Sequence, residues 1–158
     1  MSVLAFFQWC EGSSFGAAVR SSRWIFPFVE AGHLLALTVF GAAVLVVDLR
    51  LCNLGLHRRP LAEVGKSAQP LLVGGLAALL ITGCPLFAAE ASRYYYNAAF
   101  WYKAVFLFCA LIFTFTVRRS VVLADETGAR PVWNRLVGVV SLALWAGDGI
   151  SGKAIGFY

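Results

Sequence analysis

Long apolar stretches separated by short polar segments make up most of this chain. Four of them approach the roughly 20 residues that an α-helix needs to cross a hydrocarbon core of about 30 Å. They cover residues 24–47, 71–89, 98–117 and 132–150. Because the connecting segments are short, the pattern predicts an all-α protein that forms an integral membrane antiparallel four-helix bundle.

The N-terminal residues show a different pattern. Residues 2–10 and 15–19 favour two short helical pieces joined by a turn at residues 11–14. Each piece is too short to cross a bilayer, and Phe6, Phe7 and Trp9 are typical of a helix that lies along its surface. We therefore predict a short N-terminal interfacial helix followed by the four spans, all within a single transmembrane domain of residues 1–158.

The composition agrees with a membrane protein. The 158 residues are 60% hydrophobic and 13% charged, with a mean hydropathy of +0.77. Soluble domains carry about 25% charged residues, so this chain has too few charges for a water-facing surface of ordinary size. Its net charge of +5 comes mostly from arginines in the short connections, which favours contact with membrane lipid and no binding of nucleic acid.

The distribution of lysine and arginine predicts the orientation of the chain. Residues 48–70 and 118–135 together contain eight of them, and the rest of the chain contains five. Since cytoplasmic loops are enriched in these residues, we place both connections in the cytoplasm. The predicted location is the bacterial inner (cytoplasmic) membrane, with both termini on the outer, periplasmic side.

Two ionisable side chains interrupt the first apolar stretch: Glu30 and His33 are the only ones in residues 24–47. At about 1.5 Å per residue, His33 and Lys103 lie about 22 Å above the cytoplasmic ends of their spans, Asp148 about 24 Å and Glu30 about 27 Å. The spacing therefore predicts a polar layer of these four residues in the outer third of the bilayer.

The layer has two interpretations. Ionisable groups in lipid are costly unless they pair or line a cavity, so they often mark a site. Two carboxylates, an amine and an imidazole could titrate near neutral pH, which would suit proton uptake coupled to quinone or haem chemistry. Alternatively, the four groups pair at the outer interface and orient the bundle. The sequence leaves both interpretations open.

The positions of the histidines show whether the chain could hold a haem by itself. A b-type haem in a helical bundle is usually held by two histidines at similar depth. His33 lies in the first span and His57 in the inner connection, about 36 Å away if the intervening residues were helical. No self-contained bis-histidine haem is therefore expected, and His33 is the axial ligand if haem is present. The four cysteines form no ligand pattern with histidine, so no metal site and no disulfide is predicted.

Two connections carry further candidates. Tyrosine and arginine dominate interface hot spots. The second-to-third connection therefore forms a candidate docking surface, made of Arg93, Tyr94, Tyr95 and Tyr96. The alternative there is an aromatic interfacial belt with a Glu90–Arg93 pair. In the inner connection, Arg58 and Arg59 are expected at lipid headgroups and His57 in solvent.

Several stretches together resemble an uncharacterised bacterial family of small four-helix membrane proteins. The resemblance implies topology and family membership but no activity, and the likeness to copper-resistance-D-like and cytochrome-b-like bundles is an analogy of fold. The chain departs from similar sequences at Thr114 and Thr116, near which they often carry a second histidine, and at Asp148, where an apolar residue is expected. The stretches are residues 23–33, 47–51, 59–60, 81–83, 88–103 and 144–145.

Three functions follow from these features. The leading hypothesis is an accessory or structural subunit, not an enzyme on its own, that associates with a larger redox membrane complex or with further copies of itself. The second is a quinone- or haem-binding electron-transfer protein that uses His33 and Glu30. The third is a small ion or solute carrier built on Glu30, Lys103 and Asp148, although four helices without a broken-helix repeat are few for alternating access.

Overall fold

The computed structural model describes residues 2–54, 59–124 and 131–156, which are largely helical and contain no β-strand. The prediction of an all-α chain is confirmed. In chain order the elements are α1 (Val3–Gly12), α2 (Ser14–Ser21), α3 (Ile25–Leu51), α4 (Leu61–Ala89), α5 (Ala91–Tyr96), α6 (Ala98–Phe113), a π-helical turn (Thr114–Arg118), α7 (Arg119–Ala124) and α8 (Pro131–Ile155).

Within these ranges, three helical segments are long and apolar enough to cross a membrane. They are Ile25–Leu51, Leu61–Ala89 and Ala98–Ala124, the last of which runs through α6, the π-helical turn and α7. Their length and composition indicate a membrane protein. α8 has 25 residues but falls outside this set, because polar residues such as Asn134 and Asp148 lower its hydropathy.

α3 extends beyond the apolar run that predicted it and ends at a left-handed residue. Asn53 has a φ of 59°, a region that asparagine tolerates better than most residues with a side chain. The Leu54 N–H donates to the Leu49 carbonyl at 2.9 Å, and the Asn53 N–H donates to the Arg50 carbonyl at 3.1 Å. These bonds satisfy carbonyls that the end of a helix would otherwise leave free.

α4 is also longer than predicted, because it begins at Leu61 and not near residue 71. The added turns are amphipathic: Leu61, Val64 and Ala68 are buried along one stripe, which continues the helical spacing towards Leu72. The uninterrupted apolar run that predicted this span does not include these turns. Pro70 lies inside the helix.

α3 and α4 pack antiparallel over most of their length. Near the middle, Gly75 lies against Phe40, and a β-carbon at Gly75 would sit 3.0 Å from the Phe40 β-carbon. Further along, Gly83 lies against His33, and a β-carbon at Gly83 would sit 3.4 Å from the His33 ring. Small residues on α4 thus let the two helices approach closely.

α8 packs antiparallel to α3 and also contacts α6. Its Ser141 contacts Asp48, and one turn later Trp145 packs edge-on against Phe40 at 4.8 Å between ring centroids. A β-carbon at Gly138 would sit 2.9 Å from the Asp48 carbonyl oxygen. α8 therefore lies along the other long helices, with part of its polar face turned inward.

The two short N-terminal helices expected from the sequence are present. Ser13 joins them: its hydroxyl accepts from the Gly16 N–H at 3.1 Å, which begins α2, and donates to the Cys10 carbonyl at 2.6 Å, where α1 ends. α2 packs closely on α4, since a β-carbon at Gly16 would sit 2.6 Å from the Ala88 carbonyl oxygen. Phe7 of α1 is buried.

The buried apolar core lies in the half of the molecule near the α3–α4 connection. In the opposite half, His33 and Lys103 are only partly covered. The half near the α3–α4 connection therefore holds most of the buried apolar side chains. The core residues are Phe40, Ala43, Val44, Val47, Leu51, Leu61, Val64, Ala68, Leu72, Val122 and Val137.

Candidate functional site

His33 is held by a hydrogen bond between α3 and α4. Its Nδ1 lies 2.8 Å from the Thr82 hydroxyl oxygen. That hydroxyl has one hydrogen, which it donates to the Ala78 carbonyl at 2.7 Å. When that hydrogen points to Ala78, the Thr82 oxygen accepts from a protonated His33 Nδ1, and in this neutral tautomer Nε2 keeps its lone pair. Among the described residues, Nε2 has no hydrogen-bond partner.

Lys103 and Asp148 complete this site from α6 and α8. The Lys103 ammonium occupies the space left by Gly152, where a β-carbon would sit 2.8 Å from Nζ. Asp148 is 5% exposed, and its Oδ1 is the one buried side-chain oxygen or nitrogen in the described ranges without a hydrogen-bond partner. Lys103 interacts electrostatically with both His33 and Asp148. We call these three residues the His33 site.

The fourth residue of the predicted layer lies elsewhere. Glu30 is exposed, and no hydrogen bond or ion pair joins it to His33 among the described residues. Its carboxylate instead contributes to the electrostatic environment of Tyr94. Glu30 thus lies outside the His33 site, and the predicted layer of four residues stays a prediction.

The predicted docking residues fall into two groups. Tyr94 and Tyr95 are half-buried in an aromatic cluster around Phe7, with centroid distances of 5.5 Å from Tyr94 to Phe100 and from Tyr95 to Phe7. Burial, and then the nearby Glu90 carboxylate, raise the pKa of Tyr94. Tyr96 is 74% exposed. Tyr96 and Arg93 are therefore the two exposed members of the predicted docking surface.

Arg93 and Tyr96 border an open groove at the start of α6. Arg93 is paired with Glu90 at 3.1 Å, as the interfacial-belt alternative expects. The groove continues along Asn97 and Tyr102. Asn97 also fixes the start of α6, because its side chain accepts from the Ala99 N–H at 2.9 Å.

α1 and α2 are attached to α5 by a carboxylate. Glu11 accepts from the Ser92 backbone N–H at 2.7 Å and pairs with Arg20 at 3.1 Å. Hydrogen bonding by Ser92, and more weakly the charge of Arg20, lower the pKa of Glu11. Arg20 also donates to the Ala89 carbonyl at 3.1 Å, which anchors α2 to the end of α4.

Sequence reasoning missed a buried ion pair at the other end of the helices. Arg118 Nε donates to Asp48 Oδ1 at 2.6 Å, with side chains 3% and 0% exposed. The Ser141 hydroxyl donates to the second Asp48 oxygen at 2.7 Å, and Arg118 Nη2 donates to the Val44 carbonyl at 3.2 Å. In the sequence, both residues stand at the edge of an apolar run, where a charge needs no partner. An aspartate directly after a run of valines was the available signal.

The π-helical turn lies beside this ion pair. π-Turns within α-helices often occur at functional positions, and this turn contains Thr114 and Arg118. Thr114, at which similar sequences suggested a missing histidine, accepts a hydrogen bond from Trp145 Nε1 at 3.1 Å. A cleft of about 450 Å³, counting its open mouth, lies between the turn, α4 and α7.

The described residues contain no group of three His, Cys, Asp or Glu side chains that could hold a metal ion. All four cysteines are free thiols. The residues present fit a haem only in part, since His33 Nε2 could serve as one axial ligand. The predictions made for His57 and Arg58 concern residues outside the described ranges.

A family model matches residues 6–158, described as a family of unknown function, DUF6644. The chain belongs to this family. The predicted membership of an uncharacterised family is thereby confirmed, and the match covers the His33 site, the buried ion pair and the aromatic cluster alike. No curated protein and no solved structure matches the chain.

Proposed function

We propose that this protein is a four-helix membrane bundle of the bacterial inner membrane with both termini outside. α8 would be the fourth span: at about 1.5 Å per residue, its 25 residues reach about 37 Å. Its polar Asn134, Ser141 and Asp148 are all buried. A membrane helix tolerates polar residues that face its neighbours, and such residues also lower its mean hydropathy.

We further propose that the His33 site binds the headgroup of a quinone or quinol. The observation that carries this proposal is the buried Asp148 Oδ1, which has no partner among the described residues although Lys103 lies nearby. An unpaired buried carboxylate oxygen is costly, so a ligand that donates a hydrogen bond there would be stabilised.

The chemistry of the site matches both states of such a headgroup. Lys103 can donate to a quinone carbonyl, whereas Asp148 Oδ1 and His33 Nε2 can accept from the hydroxyls of a quinol. Reduction of a quinone requires two electrons and two protons. The chain's own residues would exchange the protons, and a redox membrane complex would supply the electrons. The protein would therefore act as an accessory subunit of that complex.

A binding measurement tests this proposal. The protein is reconstituted in nanodiscs, and binding of a short-chain ubiquinol is titrated for the wild type, Asp148→Asn and Glu30→Gln. Loss of a hydrogen bond to a charged group corresponds to about 10- to 100-fold in affinity, so Asp148→Asn should weaken binding by that factor. Glu30→Gln makes the same chemical change outside the site and should bind as the wild type does. Absence of binding, or equal loss in both variants, would overturn the proposal.

A haem version of the site follows from the same histidine. The Thr82 hydrogen bond leaves Nε2, the usual axial ligand atom, available. The visible spectrum of protein expressed with sufficient haem distinguishes the two: a Soret band lost in His33→Ala supports haem, and its absence from the wild type excludes it.

The docking role rests on a separate observation, the groove that Arg93 and exposed Tyr96 border. A photo-crosslinking residue at position 96 should capture a membrane redox subunit in native membranes. The same residue at Val105, which is 62% exposed on α6, serves as the control. Crosslinking to a second copy of the chain would favour a homo-oligomer, and capture of lipid alone at both positions would remove the docking role.

A further inference from the structure

The cleft beside the π-helical turn, which we call the Arg118 cleft, opens between α4 and α7. It lies at the end of the helices that the sequence predicts to be cytoplasmic. Its walls are mostly apolar, with Leu72, Phe115 and Val122 among them. Gly65 lets α4 approach α7 closely beside the cleft, because a side chain there would overlap Val122. Both α4 and the α6–α7 segment are long and apolar enough to span a membrane. The cleft therefore has the surroundings of a site filled from the lipid phase.

Polar groups lie along one side of this apolar cleft. Arg118, Arg119 and Gln69 line it, and no acidic side chain among the described residues does. Arg119 is exposed and forms no ion pair among the described residues. The cleft therefore combines an apolar interior with hydrogen-bond donors of positive charge.

Arg118 has donors that the ion pair with Asp48 does not use. Its Nε and Nη2 donate to Asp48 and Val44, whereas Nη1 has no partner within the described ranges. The Arg118 side chain is only 3% exposed and is neutralised by Asp48, so the positive charge that the cleft offers among the described residues is that of Arg119.

We propose that the Arg118 cleft binds an anionic phospholipid of the inner leaflet. The phosphate would accept from the exposed Arg119 guanidinium, and the first part of an acyl chain would lie against the apolar wall. Basic pockets between membrane helices on the cytoplasmic side are suited to such headgroups, because guanidinium groups bind phosphate oxygens through paired N–H donors. The occupant is anionic because, among the described residues, Asp48 balances Arg118 and no carboxylate pairs with Arg119.

Native mass spectrometry of the full chain tests this site. Delipidated protein is titrated with phosphatidylglycerol and, separately, with phosphatidylcholine of the same acyl chains. Arg119→Gln should weaken phosphatidylglycerol binding about fivefold, the effect of one basic residue at a membrane surface. Arg135→Gln is the matched control, because Arg135 is exposed at the same end of the bundle but does not line the cleft. Phosphatidylcholine should bind more weakly and should not distinguish the two variants.

A second pair of variants changes the apolar wall and leaves the charges intact. Leu123→Trp should fill the cleft and reduce phosphatidylglycerol retention, whereas Leu136→Trp, at an exposed leucine of α8, should not. Equal retention of the two lipids, or equal effects within either pair, would overturn the proposal. Competition by inorganic phosphate alone at equal affinity would assign the site to a free anion and would also overturn it.

Discussion

Arg118 Nε and Asp48 Oδ1 lie 2.6 Å apart in a part of the molecule from which solvent is almost completely excluded. Ser141 donates to the other oxygen of the same carboxylate. α3, the π-helical turn and α8 are therefore joined by one polar network within an otherwise apolar core. The network is satisfied by side chains and a backbone carbonyl, which is the condition under which buried charges are tolerated.

Replacing one charged residue of this network should lower the stability of the fold more than replacing both. Asp48→Ala leaves Arg118 buried without its counter-charge, and we expect a loss of about 3–5 kcal/mol in the free energy of unfolding. The double variant Asp48→Leu, Arg118→Met should regain most of that loss, because apolar residues of similar volume often replace a buried pair at little cost. Unfolding in mild detergent, followed by circular dichroism, measures both. If the double variant were no more stable than the single one, the ion pair would not be the cause.

Thr82→Val should change the protonation pattern of the His33 ring. Without the hydroxyl acceptor, Nδ1 loses the hydrogen bond that favours its proton, and the population with the proton on Nε2 should rise. Nitrogen NMR in a His57→Gln background isolates this single imidazole. Thr38→Val is the control, since the Thr38 hydroxyl donates only to the Leu34 carbonyl of its own helix at 2.9 Å. An unchanged spectrum in Thr82→Val would contradict the assignment.

Two glycines of α8 provide a matched test of Lys103. Gly152→Ala would place a β-carbon 2.8 Å from Nζ and displace the ammonium, whereas a β-carbon at Gly149 meets nothing within 4 Å. We expect Gly152→Ala to lower the affinity for short-chain ubiquinol about tenfold, the loss of one charge-assisted hydrogen bond. Gly149→Ala should leave this affinity unchanged. Equal affinities in the nanodisc titration would show that Lys103 is not part of the site.

Attachment of the N-terminal helices should weaken at acidic pH. Glu11 has a pKa below its ordinary value of 4.5 because Ser92 and Arg20 favour its charged form. A carboxyl whose folded pKa is lowered contributes stability above its unfolded pKa and loses it as pH falls through the folded pKa. Hydrogen exchange of residues 3–21, corrected for intrinsic rates, should therefore accelerate below about pH 4.5. In Glu11→Gln this acceleration should be absent; if it persisted, another group would be responsible.

The sequence could predict those parts of the molecule that depend on local spacing. The apolar runs predicted all-helical structure, and counting residues along each run brought His33, Lys103 and Asp148 to one level. Depth along a helix does not determine rotation about its axis, so the same count could not show that Glu30 is exposed. The polar start of α4 was missed because its buried stripe is amphipathic and contains no long apolar run.

The Asp48–Arg118 contact could not be predicted in this way. Each residue stands at the boundary of an apolar run, where a charge ordinarily reaches the headgroups and needs no partner. Only the packing of α3 against the π-helical turn turns both side chains inward. Phe7 is a similar case, since its helix has the composition of a surface helix while the ring is buried among the aromatic residues of α5 and α6.

The ion pair has a consequence for how the protein is made. Asp48 and Arg118 are separated by 70 positions along the chain. At about 5–20 residues per second, a ribosome needs about 4–14 s to produce the intervening segment. During that interval the newly inserted first helix contains a carboxylate whose arginine has not yet been synthesised. The order of synthesis therefore delays the Asp48–Arg118 pair until residue 118 has been made, so the core around Asp48 can close only after the π-helical turn exists.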